Sequence, residues 1–184
     1  MTETRIELKT LKRDMQTKVD AQTVENAIFV ENSEYLFTVT QIKLVGKYNR
    51  VYNVVTDFIE VEPDCVVVDN DLLIICLAFE VAIVDLKQDK TVRVIDFDDN
   101  QLFGIFQFKS GYFIHGEAVN LYWNKNFDIL WRESCGARFF NSKVKKDLEV
   151  FEDYIVAFDW NGDKHYYNET GEFKREHYPQ YSMD

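Results

Sequence analysis

Residues 119–133 read VNLYWNKNFDILWRE, and residues 164–176 read KHYYNETGEFKRE. Each is an aromatic-rich run, a short polar turn and a second run ending in Arg-Glu. Alternating apolar and polar positions mark a strand with one buried face. NKNF and NETG supply the Asn and Gly that a hairpin reversal needs. The sequence therefore writes the same antiparallel pair twice.

Another pair precedes each of these. The first strands read AIFV (27–30), CVVV (65–68), GIFQF (104–108) and LEVF (148–151), followed by the polar turns ENSE, DND, KSG and ED. Second strands follow as YLFTVT, LLIICLA, YFIHGE and YIVAF, starting at Tyr35, Leu72, Tyr112 and Tyr154. Third strands are IKLV, VAIVD, VNLYW and KHYY, and fourth strands are RVYNVV, TVRVI, DILWRE and EFKRE. The expected fold class is thus all-β, with about four antiparallel four-stranded units at a period of roughly 40 residues. Residues 1–26 stand apart as an N-terminal arm: RIELK alternates as one strand, and the polar stretch after it reads as a weak helix. Residues 27–184 are expected to form a single all-β repeat domain.

This rhythm resembles the blade pattern of PQQ-like and WD-repeat-like propellers, over residues 27 to about 176. The Gly-His and Trp-Asp pairs of WD repeats are absent. The resemblance therefore implies an architecture and brings no WD-family function with it. An open curved sheet of meanders or a large sandwich uses the same strand count.

Composition narrows the function classes. The 184 residues are 46% hydrophobic and 15% aromatic, with 15 Phe and 10 Tyr, which suits pleated sheets and excludes disorder. The odd set of Cys65, Cys76 and Cys135 lies in or beside apolar runs, so reduced cytoplasmic thiols are expected in place of a disulfide framework. The N-terminus has no apolar signal core, and the longest apolar run, LLIICLAF, is far short of a bilayer span. Charge is the strongest global signal: 21 Lys and Arg stand against 32 Asp and Glu, a net −11. That surface repels phosphate backbones, and the short basic run SKVKK (142–146) reads as a solvated turn. Direct nucleic-acid binding and membrane insertion are not expected.

In an antiparallel meander, the turns between second and third strands share one end with the connections between units. That end would collect Glu80, Glu117, Asp159 and Asp163 from the inner turns. The connections TDFIEVEPD and DFDDNQ add Asp57, Glu60, Glu62, Asp64, Asp96, Asp98 and Asp99, with Phe97 and Trp160 as aromatic neighbours. The opposite end would mix Glu31, Glu34, Asp69, Asp71, Glu152 and Asp153 with Lys47, Arg50, Lys87, Lys90, Lys109 and Lys125. An acidic end bearing aromatics suits a basic protein partner, because complementary potentials speed encounter and buried aromatics anchor it.

Chemistry finds little support. His115 in the alternating run YFIHGE reads as a satisfied, half-buried side chain, while His165 and His177 sit in charged, exposed-looking segments without ligand spacing. DWNGD (159–163) fails the calcium-loop pattern, since its Gly is fourth and Thr170 occupies the twelfth position, and it reads as a tight turn using Asn161-Gly162. Cys135 in ESCGAR lacks a positioned base. No nucleophile elbow, P-loop or dinucleotide fingerprint occurs. Trp123 and Trp131 bracket the NKNF turn at strand spacing and read as packing residues.

The sequence thus points to a non-catalytic, cytoplasmic protein-binding module without cofactor or metal. Its most concrete form is an immunity or antitoxin-type inhibitor covering a basic, nuclease-like partner. The alternative is a propeller-like carbohydrate-binding protein or glycoside-active enzyme, in which aromatics stack on rings and paired acids such as Asp98 and Asp99 act on the substrate.

Overall fold

The computed structural model describes residues 4–13, 16–31, 34–57, 60–97, 100–134 and 148–177. Among the described residues, sixteen strands form four separate four-stranded sheets. The chain divides into two compact units, Met1–Asp96 and Phe97–Asp184, with two sheets in each.

In the first unit, strands β1 (Arg5–Arg13), β2 (Ala27–Val30), β3 (Thr38–Val45) and β4 (Arg50–Thr56) make one sheet in the order β1-β3-β4-β2. This sheet is not a simple meander. The β1 strand pairs along β3 from Arg5 opposite Val45 to Arg13 opposite Thr38, so the predicted strand in the N-terminal arm completes the first sheet. The expected second and third strands around Gln41 are one continuous β3. Finally, β2 runs parallel to β4, which lies between it and β3. The polar stretch read as a weak helix contains one short helical turn, Ala21–Thr23, capped by Asp20. There Val19, Ala21 and Val24 lie against buried Leu36, Val39 and Val55 and cover the sheet. Asn53 holds the crossing segment by donating to it twice: its backbone N–H goes to Asn26 O and its side chain to Glu25 O.

The other three sheets are the expected antiparallel meanders. Strands β5 (Val66–Asp69), β6 (Leu72–Cys76), β7 (Glu80–Asp85) and β8 (Lys90–Asp96) pair in chain order. Leu73, Ile74, Ile75, Val81, Ala82, Ile83 and Val84 are all buried, so both faces of the two central strands are covered. That explains why β6 and β7 read as continuous apolar runs instead of alternating ones. Full burial of each Ile or Leu contributes about 1.5 to 3 kcal/mol. Asn70 at the β5–β6 turn and Asp89 at the β7–β8 turn adopt positive φ, 55° and 58°, which Asn and Asp tolerate at hairpin tips.

The second unit contains β9 (Leu102–Phe108), β10 (Gly111–Gly116), β11 (Val119–Asn124) and β12 (Ile129–Ser134) in one sheet. The last sheet holds β13 (Leu148–Val150), β14 (Ile155–Phe158), β15 (Lys164–Asn168) and β16 (Gly171–Glu176). Phe108, Phe113 and Tyr122 of the first of these pack against Ile155, Ala157 and Tyr167 of the second. Trp131 joins that core, stacked on Tyr122 (6.2 Å, 19°) and on Tyr167 (5.5 Å, 12°), and donates its indole N–H to Glu169 O at 3.0 Å. Its expected packing role is what the fold uses. Among the described residues, no helix is long and apolar enough to cross a membrane.

Candidate functional site

The pairings define two ends in the first unit. Thr38 faces Thr56, Cys76 faces Val81 and Glu80 faces Asp96, so residues 31, 34–37, 57, 60–65 and 77–79 gather at one end. Turns 46–49, 70–71 and 86–89 occupy the other.

The second of these ends is internally neutralised. Asp71 accepts Lys47 Nζ at 2.6 Å and also pairs with Lys87 and Tyr48, and together they hold its carboxyl far below the ordinary aspartate range. Asp89 pairs with Arg50 at 3.0 Å and accepts Tyr52 OH at 2.6 Å. These contacts tie the first sheet to the second. They are structural, as the expected mixture of signs implies.

The first end is built differently. Glu80 and Asp96 are directly opposite each other on β7 and β8, a like-charge arrangement that destabilises a strand pair. Burial pushes Glu80 above the ordinary glutamate range and the Asp96 charge adds to the shift. Glu31 also stands here, its Oε2 accepting the Asp57 N–H at 2.8 Å. Burial raises its pKa; the Asp57 N–H opposes that, while the Asp57 and Glu80 charges reinforce it. Among the described residues, neither Glu31 nor Glu80 is in an ion pair. Glu60 accepts Thr10 Oγ1 at 3.1 Å, exposed Glu62 precedes the helical turn Pro63–Cys65 and exposed Asp64 lies within it. Phe79 and Tyr35 are exposed large hydrophobics in the same connections, and Lys18 lies over the Tyr35 ring at 4.6 Å.

The placement of Glu31 departs from the parity expected of a meander. An antiparallel first strand would send it to the mixed end, with Lys47 and Arg50. Because β2 runs parallel to β4, the residue after Val30 emerges beside Asp57. Parallel pairing needs a crossover, and no local turn signal announces one.

The second unit uses its predicted acids internally. Asp159 is buried and caps its own turn: Oδ1 accepts the N–H of Asn161 at 2.9 Å and of Asp163 at 3.0 Å, while Oδ2 lies 3.3 Å from His165 Nε2. DWNGD is therefore the expected tight turn, although Gly162 alone supplies the positive φ, at 86°. Asp163 bonds His177 Nδ1 at 2.7 Å. Phe97, expected as an exposed aromatic, is buried with its ring 5.6 Å from Trp123. Trp160 is exposed as expected, and Glu117 is half-buried. Asp98, Asp99, Cys135 and the run 142–146 lie outside the described residues.

The histidines divide. His115 is buried and bonds Asn120 Oδ1 through Nδ1 at 2.7 Å, while His177 is exposed. His165, expected on the surface, is wholly buried between Asp159 and Glu172, stacked on Tyr167. The strand alternation explains this, since His165 and Tyr167 share the inward face of β15 and its charged neighbour Lys164 points the other way. Burial opposes ionisation of Glu172, yet Arg175 and His165 together bring its pKa below the ordinary value. Cys65 and Cys76 are buried, and burial pushes the Cys65 thiol up to about 11, far from a reactive thiolate. Among the described residues, no group of three His, Cys, Asp or Glu could hold a metal ion.

No protein-family model matches the sequence, and no curated protein does. Solved structures do resemble the fold. The computationally designed Ika8 protein superposes with a TM-score of 0.52 at 8% identity, over 82% of this chain and 49% of that one. BBS1N, solved in complex with ARL6DN, gives 0.50 at 9% identity over 94% of this chain and 54% of its own. BamB from Moraxella catarrhalis gives 0.47 at 13% identity over 88% and 53%. The chain thus spans about half the length of the structures it resembles. BBS1N is a propeller-type fold, and the likeness, at this identity, is one of architecture: an all-β, propeller-like repeat of four-stranded units.

Proposed function

We propose that this chain is a non-catalytic protein-interaction module whose first unit holds a basic protein against the end formed by Glu31, Asp57, Glu80 and Asp96. One observation carries the reading. Glu31 and Glu80 are kept partly buried, above the ordinary glutamate range and outside any ion pair among the described residues, beside like charges. Fold stability alone does not favour such crowding, and perturbed carboxylates in one place are a signature of function. A lysine or arginine arriving from a partner relieves the repulsion, and Phe79 and Tyr35 supply apolar contact beside the charge.

The most concrete form is an inhibitor of the immunity or antitoxin type. An enzyme that grips phosphate presents a cationic cleft, and an acidic end bearing aromatics can fill it. Capture at low salt, followed by stopped-flow association of the purified partner, tests the binding reading. Glu31→Gln with Glu80→Gln should slow association about tenfold while leaving the fold intact. An unchanged on-rate would remove this end from the interface. The inhibitor form is tested separately, by titrating the chain into the partner's nuclease assay, where a partner fully active at saturation rejects it.

A further inference from the structure

The aromatic rings of this protein repeatedly carry a cation from the chain itself. Lys125 Nζ lies 4.2 Å from the centre of the Tyr112 ring and Lys18 4.6 Å from that of Tyr35. Lys174 covers Tyr166 at 4.8 Å, and Lys164 lies 5.7 Å from Phe158. Trp160 has no such cation among the described residues, as is also true of exposed Phe79, Phe151 and Phe173, but it differs from them in ring chemistry. Tryptophan has the strongest cation-attracting face of the aromatic side chains. At 59% exposure Trp160 is also the most exposed large hydrophobic among the described residues, yet none of their cations covers it.

Its mounting is rigid. The turn that carries it is closed by Asp159 N–H to Asp163 O (3.1 Å), by Gly162 N–H to Asp159 O (2.9 Å) and by the two bonds to Asp159 Oδ1. The Asp159 carboxylate is in turn held against buried His165. An exposed apolar side chain on a fixed turn loses little conformational freedom on docking, which favours a contact residue. The net charge selects the partner group: Asp163 of the same turn is already held by His177, and the protein as a whole carries −11.

We propose that Trp160 is a docking residue for an arginine side chain of a basic protein partner, with the guanidinium stacked on the indole face. Arginine fits better than lysine because its planar, weakly hydrated group both stacks and attracts the ring electrostatically. The partner's basic character rests on the proposed function; the contact itself rests on Trp160. This is a second point of attachment, in a different unit from the Glu31–Glu80 end.

The test titrates a blocked Gly-Arg repeat peptide into the full chain and follows the Trp160 indole N–H by NMR. The same titration is repeated with citrulline in place of arginine, which keeps the shape and removes the charge. The arginine peptide should shift the Trp160 signal, the citrulline peptide should leave it in place, and Trp160→Ala should weaken arginine-peptide binding about fivefold or more. Because the side chain is exposed, Trp160→Ala should unfold at the same temperature as the parent. Equal affinity of parent and Trp160→Ala, or an equal response to citrulline, overturns the assignment. Glu31→Gln with Glu80→Gln separates the two readings. If the Trp160 response survives in that variant while partner association slows, both sites stand, and an unchanged on-rate beside an intact Trp160 response leaves the arginine contact and rejects the acidic end.

Discussion

Trp131 shows how much one side chain carries. Its indole is sandwiched between Tyr122 of β11 and Tyr167 of β15, lies edge-on to Phe113, and donates a hydrogen bond to Glu169 O. Truncation removes contacts in both sheets of the second unit and leaves a void between them. Trp131→Ala should therefore lower unfolding free energy by about 3 kcal/mol, read by urea denaturation; a loss below about 1 kcal/mol would mean the stack is incidental. Asp159 predicts a different kind of loss. Asp159→Ala strands the N–H groups of exposed Asn161 and half-buried Asp163 and leaves buried His165 with one carboxylate fewer. Unfolding stability should fall by about 2 kcal/mol, and fast amide exchange at Asn161 and Asp163 should accompany it. Retained protection at those two amides would show that the turn does not depend on its cap.

At the scale of strands, the acidic end sets stability against binding. Glu80 lies opposite Asp96, and its pKa is raised by burial and then by that charge. A carboxylate whose folded pKa is raised contributes stability that is complete below its ordinary value of 4.5 and is lost as pH rises through the folded value. At neutral pH the ionised pair Glu31 and Glu80 is thus a strain on the first unit. Glu31→Gln with Glu80→Gln should raise Tm at pH 7 by about 2 °C, with the gain vanishing near pH 4. A glutamine at position 31 can still accept the Asp57 N–H through its side-chain carbonyl, so a fall in Tm at pH 7 would contradict the assigned strain. These elements also show what is legible in the sequence. The β5–β6 and β11–β12 hairpins announce themselves because strand, turn and strand are contiguous and each reversal carries Asn or Asp. The parallel seat of β2 does not, because its partner β4 lies beyond the whole of β3 in the chain and only tertiary packing selects it. Sequence parity therefore sends Glu31 to the wrong end, by reasoning that is sound for an antiparallel strand. Phe97 and Asp159 mislead for a related reason: polar neighbours in a connection suggest solvent, and only the packing of Trp123 and His165 beneath them shows burial.

For the molecule as a whole, charge is the property that reaches furthest. Within the net −11, the charges of Asp71 and Asp89 are compensated locally by Lys47, Lys87 and Arg50, so those residues add little to the field seen by an approaching protein. The Glu31, Glu80 and Asp96 end lacks that compensation for its two raised glutamates, and its field extends about one screening length, roughly 10 Å at 0.1 M salt and 3 Å at 1 M. A partner steered by that field should associate about tenfold more slowly on going from roughly 0.05 M to 0.5 M salt. Dissociation should change much less, since bound apolar contacts at Phe79 and Tyr35 are insensitive to screening. The distinction matters because a uniformly acidic protein and a protein with one effective acidic end predict different behaviour in a mutant. If the whole surface acts, Glu31→Gln with Glu80→Gln removes only two charges of many and leaves the salt slope almost unchanged. If the local end acts, the same two substitutions flatten the slope markedly, while neutralising the already paired Asp71 by Asp71→Asn leaves it steep. Stopped-flow association at four or five salt concentrations, for the parent and these variants, decides between them. A slope that responds to Asp71→Asn as strongly as to the Glu31 and Glu80 changes would assign the attraction to net charge and dissolve the acidic end as a distinct site.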